Sequence, residues 1–186
     1  MEPNRPASDY GLTVKFIFGI TLLVSVVLSI YFAYTGAHHE RPYIRTACLS
    51  NMKQEALAVI MYSIDWDEKL PPAATWADSS LPYSKNKDIY RCPPVSHQPD
   101  QYGHAFWESL SMRESTRIPG GPADIPMIFD SIDLSWNAHG PLSLIPPGGR
   151  GKGGLVVVAF LDGHATSRAV SRVTATPLPG PPTKSP

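Results

Sequence analysis

The chain is poor in cysteine and in charge. Its two cysteines, Cys48 and Cys92, cannot make a four-ligand zinc site by themselves, and their spacing matches no redox or zinc motif. Two states stay open for them: a structural disulfide if the domain lies outside the cytoplasm, or two buried free thiols. Charged residues are 17% of the sequence and the formal net charge is zero. No basic surface therefore argues for nucleic-acid binding. No H-E-x-x-H, G-x-S-x-G or EF-hand pattern occurs. The run Gly148-Gly149-Arg150-Gly151-Lys152-Gly153-Gly154 lacks the Gly-Lys-Ser/Thr ending of a phosphate loop. It also precedes a strand pattern rather than a helix, and it reads as a loop. Without a catalytic constellation, we expect neither enzyme activity nor a cofactor.

What is present in quantity is apolar residues in one run. Phe16 to Tyr34 holds nineteen residues with no charged side chain. As a helix it extends roughly 28 Å, close to the hydrocarbon thickness of a bilayer. Tyr31 and Tyr34 sit near one end, where interfacial aromatics belong. A helix apolar on every face needs lipid or a large core around it. The reading is a single transmembrane anchor over residues 16–37, preceded by a cytoplasmic segment, 1–15. A domain over 38–175 and a disordered proline-rich tail, 176–186, follow. Arg5 and Lys15 before the span nearly balance Arg41, Arg45 and Lys53 after it, so charge does not set the orientation.

Twenty prolines and fourteen glycines imply many turns in the remainder. Pro42 should break or kink any helix that continues past the anchor. From Tyr43 to about Asp65 the pattern is helical again. Ile44, Cys48, Met52, Ala56, Val59, Ile60 and Ile64 recur at three- and four-residue steps, opposite Arg45, Ser50, Lys53, Gln54 and Ser63. Short strands are expected at Tyr102–Phe106 and Ile125–Ile132. The β-branched run Leu155–Leu161 reads as a strand inside a sheet. Asp162-Gly163 should turn the chain into a return strand over Ala165–Val173. The fold class is α+β: an N-terminal transmembrane helix, then a kinked amphipathic helix packed on a small antiparallel sheet.

Six segments in order carry a resemblance: ACLSNMKQEALAVIMYSIDWDEKLPP, LPYSKN, IYRCPP, YGHAF, MIFD and GGLVVVAFLDGH. The series resembles the type IV pilin-like and type II secretion pseudopilin-like proteins of the planctomycete kind. Their C-terminal region carries a pattern of His, nine residues, then Asp-Gly. The likeness covers about residues 43–167. It implies a bacterial inner-membrane protein with its domain periplasmic. Such a protein would be a structural subunit or relative of a type II secretion or pilus-like assembly, with the membrane and other subunits as partners. It also implies that Cys48 and Cys92 are bonded, closing a span of about 45 residues. Two positions depart from the pattern. Gly11 is followed by Leu12, with Phe16 where the family has a Glu five residues into the mature chain, and Lys152 stands in place of the His. The alternative function is a surface-displayed binding module that does not polymerise. It would take a polysaccharide, a metal ion or a partner protein, with Trp66, Trp76, Trp107 and Trp136 as contact surfaces.

A few residues merit inspection as sites. Asp65, Asp67 and Glu68 offer three carboxylates in four residues, a calcium-like composition without the EF-hand spacing or glycine. The plainer reading is a helix exit and turn. Asp162 and Gly163 with His164 suggest either an acid–base pair or a hairpin turn, and turn chemistry suffices. Asp130 is placed to approach them across a sheet. His104, His139 and His164 would be a composite metal set only if the fold gathered them.

Overall fold

The computed structural model describes residues 10–151 and 153–177, with side chains at 14–34 and from 46 onward. Expectations for residues 1–9, for Lys152, for the side chains of Arg41 and Arg45 and for the tail beyond 177 fall outside these. The chain forms two compact units, Met1–Tyr43 and Ile44–Pro186. In the first, Val14–Tyr34 is a 21-residue helical segment of mean hydropathy 2.4, long and apolar enough to cross a membrane. None of it is buried within the chain.

Helical backbone runs over Tyr10–Asp65 (α1). Residue 42 is helical, so of the break or kink expected at Pro42 the break is absent. A proline removes one ladder bond, while helix formation propagates cooperatively from the residues on either side.

The second unit is mixed α+β, as the patterning implied. Its strands are β1 (His104–Trp107), β2 (Pro126–Asp130), β3 (His139–Gly140), β4 (Leu155–Phe160) and β5 (Ala165–Ala169). They form one sheet in the order β3-β1-β2-β4-β5. Three of the four pairings are antiparallel; β3 pairs with β1 in parallel. An all-antiparallel sheet was the expectation. Two residues are too short to show a strand period, and β3 is fixed instead by tertiary contacts such as Phe106 N–H donating to the Ala138 carbonyl. The strand Leu155–Phe160 lies inside the sheet and is buried over five of its six residues. The return strand is shorter than expected. After Ala169 the backbone turns into a short helix, α3 (Val170–Thr174), which buries Val173. Asp162-Gly163 makes the expected turn, with Gly163 at φ +86.

Periodicity explains how residues 46–65 of α1 sit on this sheet. Cys48, Met52, Ala56 and Val59 are buried in the same core as Phe106, Ile128 and Val158. Two positions read differently from the expected faces. Ile64 is exposed, and Ser63 is buried with its hydroxyl donating to the Ile60 carbonyl. A second helix, α2 (Trp76–Ser84), brings Trp76 into the core. There its indole N–H donates to the Ala138 carbonyl and its ring stacks on Phe106. β1 and β2 are buried along their whole length, and Leu110, Ile118, Leu142 and Ile145 from the loops join their core.

If this core carries the stability, Phe129→Ala should lower the unfolding free energy by about 3–5 kcal/mol. Ile132→Ala, at a position 58% exposed, should change it by less than about 0.5 kcal/mol. Urea midpoints of the two variants check the difference.

Candidate functional site

The sheet and α1 meet at a group of polar side chains with no access to solvent. Glu55 is 0% exposed, Asp130 and Cys92 1%, His104 2% and Cys48 3%. Each is held by a different piece of the chain. Glu55 lies between Met52 and Val59, one helical turn from each, on the buried stripe of α1. Cys48 is two turns before it. His104 opens β1 and Asp130 closes β2, and the two are register partners across the antiparallel ladder. Cys92 is brought in by the isolated bridge between Arg91 and Gly103 and by its own N–H donating to the Tyr102 carbonyl.

The contacts are short. His104 Nδ1 lies 2.7 Å from Glu55 Oε1, and His104 Nε2 lies 3.9 Å from Asp130 Oδ1. The sulfurs of Cys48 and Cys92 are 3.1 Å apart, and Cys92 Sγ is 3.8 Å from Asp130 Oδ1. Arg150 reaches in from the glycine-rich loop. Its Nη1 is 3.3 Å from Asp130 Oδ1 and donates to the Gly103 carbonyl at 2.9 Å. Its Nη2 donates to the Ser131 carbonyl. The second oxygen of Asp130 accepts from Val157 N–H at 2.8 Å, continuing the ladder with a side chain. Gly103 makes the close approach feasible. It sits at φ +106, and a Cβ there would lie 2.8 Å from Val95 Cγ2 and 3.0 Å from Arg150 Nη1.

Burying four ionisable groups is costly unless they pair. Here they form two pairs, Glu55 with His104 and Asp130 with Arg150. Burial alone would lower the His104 pKa, but the Glu55 carboxylate at its Nδ1 pushes it up to about 10. Burial pushes Glu55 up, and His104 opposes that shift. The Cys92 thiol is driven above the ordinary thiol range by its hydrogen bond with Cys48 and by burial, which makes it a poor nucleophile. Two polar atoms in the cluster have no hydrogen-bond partner, Glu55 Oε2 and His104 Nε2.

The structure brings together some of the residues singled out from sequence and separates others. Cys48 and Cys92 meet, but both are free thiols. The expected disulfide is not formed, because the sulfurs rest in hydrogen-bonded contact, about 1 Å beyond bonding distance. Asp130 is central. His104 is beside it, but His139 and His164 are not. His139 Nδ1 lies against the Asn137 carbonyl, and His164 pairs with Asp162 at 2.6 Å in the exposed hairpin. That pair serves the turn, since Asp162 also accepts the His164 N–H. Asp65 accepts from the Tyr83 hydroxyl at the exit of α1. Asp67 and Glu68 take left-handed φ values of 52 and 60 in the turn that follows. Of the tryptophans offered as a contact surface, Trp76 and Trp107 are core residues and Trp136 is partly buried. Trp66 alone is widely exposed, at 58%.

Glu55 and Arg150 escaped sequence reasoning. A signal existed for Glu55, a carboxylate at the same helical spacing as Met52 and Val59. Arg150 gave none, since a glycine-rich loop conceals where a long side chain will fold back. Comparison of the chain with known protein families, characterised proteins and solved structures returned no match.

The Glu55–His104 pair predicts a pH dependence. A histidine whose folded pKa stands above its unfolded value stabilises fully below about pH 6.5. That contribution disappears as pH rises through about 10. In metal-chelated buffer, stability should therefore fall between these limits, and Glu55→Gln should flatten the slope. Unfolding midpoints across that window check both statements.

Proposed function

We propose that this chain is a membrane-anchored structural protein of a bacterial envelope, similar to pilins and pseudopilins. The observation that carries the reading is the segment Val14–Tyr34. It is helical and unburied over its 21 residues, with no charged side chain after Lys15, alongside a separate folded α+β unit. No core among the described residues covers that surface, and a bilayer or a bundle of like helices would do so. The ordered motifs from Ala47 to His164 supply the pilin-like part of the proposal, and the periplasmic placement of the domain rests on the same likeness. The polar cluster supports a structural role over a catalytic one. Its groups are buried, so a substrate-sized molecule finds no open path to Cys92 or His104. The role proposed for the domain is a rigid body displayed at the membrane surface.

The binding-module alternative loses most of its aromatic surface, since Trp76 and Trp107 are internal. It keeps one argument: position 16 is Phe rather than the Glu that pilin-like filaments use.

Intact mass and N-terminal sequencing of the protein extracted from its own membranes test the reading. A chain that retains Val14–Tyr34 is the expected result. A start at Leu12 would mean prepilin-type processing, and filaments should then be sought. A start at Met1 would mean a static anchor. A start near residue 38 would show a cleaved export signal and overturn the membrane reading.

A further inference from the structure

We propose that Cys48, Cys92, His104 and Asp130 form a buried site for a zinc-class divalent cation. Cys92 Sγ, His104 Nε2 and an Asp130 oxygen lie within 4.8 Å of one another. Cys48 Sγ touches Cys92 Sγ at 3.1 Å but stands outside that group of three, and it would supply the fourth bond by shifting toward His104 and Asp130. Sulfur, imidazole nitrogen and carboxylate oxygen are the donor types zinc takes, at about 2.3, 2.0–2.1 and 2.0–2.2 Å. Those radii place tetrahedral donors roughly 3.3–3.8 Å apart. The observed separations of 3.8 Å (Cys92 to Asp130) and 3.9 Å (His104 to Asp130) need close by only a few tenths of an ångström. The sulfurs must part by roughly 0.7 Å.

An independent feature points the same way. His104 Nε2 is buried without a hydrogen-bond partner and aims into this space. Its other nitrogen is held by Glu55, the carboxylate–histidine arrangement that orients an imidazole on a metal. Binding would release the two thiol protons and the Nε2 proton. Two thiolates and the Asp130 carboxylate then offset a divalent cation and the Arg150 guanidinium beside Asp130, while Glu55, hydrogen-bonded to Nδ1–H of the neutral imidazole, leaves the cluster one negative charge in excess. The site lies in the folded unit and does not depend on the anchor reading.

The test uses the full chain in detergent, purified under reducing conditions and titrated with Co²⁺ and with Zn²⁺. Expected are one ion per chain, an intense thiolate-to-cobalt charge-transfer band and tetrahedral ligand-field bands. Zinc should abolish the cobalt spectrum by displacement. Glu55→Gln keeps all four donors and should weaken affinity 10–100-fold. Cys92→Ser should remove most of the charge-transfer intensity. If a variant fails to fold, the wild-type titration still decides. A folded, reduced wild-type chain with no charge-transfer band would overturn the proposal, as would metal bound without thiolate character. A metal-free Cys48–Cys92 disulfide in protein isolated from its own membranes would do the same.

Discussion

The contact between Glu55 and His104 constrains the folded unit more than any other. A carboxylate and an imidazole with no solvent exposure face each other at 2.7 Å, one on the helix and one on the sheet. Neither tolerates the interior alone. The helix therefore has one rotation and one height at which it can dock. Asp130 and Arg150 repeat the condition one strand over, and they tie the glycine-rich loop and the carbonyls of Gly103 and Ser131 to the same point. Apolar packing of Met52, Ala56 and Val59 supplies the drive to bury the helix, but the polar contacts select the register. Buried ionic groups are better suited to that role than to adding net stability.

The same constraint explains which parts of the molecule were legible in the sequence. The apolar helix, the strand Leu155–Phe160 and the Asp162-Gly163 turn each carry a local signal: length without charge, β-branched continuity, a residue pair suited to φ > 0. All three are found. Strand β3 and the end of β5 carry none, because they are set by neighbours rather than by their own residues. The polar cluster was half visible. Cys48 and Cys92 drew attention as a pair, Asp130 and His104 each in other company, and Glu55 sat unremarked on the apolar stripe. Arg150 was invisible because its role depends on a loop folding back across the sheet. Six contributors separated by up to about 100 residues become a site only through topology.

Function follows from the division of labour between the two units. Val14–Tyr34 has the physics of a membrane segment and offers nothing to a soluble core. The second unit buries Glu55, His104 and Asp130 and leaves most of its other charged groups at the surface, the hairpin pair Asp162–His164 among them. The anchored, structural reading proposed above rests on this contrast between an unburied apolar helix and a folded unit with a buried polar cluster.

A double-mutant cycle on Glu55→Met and His104→Leu, read by unfolding of the full chain, tests the central claim most directly. Each single change should cost about 3–5 kcal/mol, because it strands one buried polar partner. The double variant should recover a large part of that loss. Additive losses, with no coupling between the two positions, would contradict the account and leave the register to be explained by apolar packing alone.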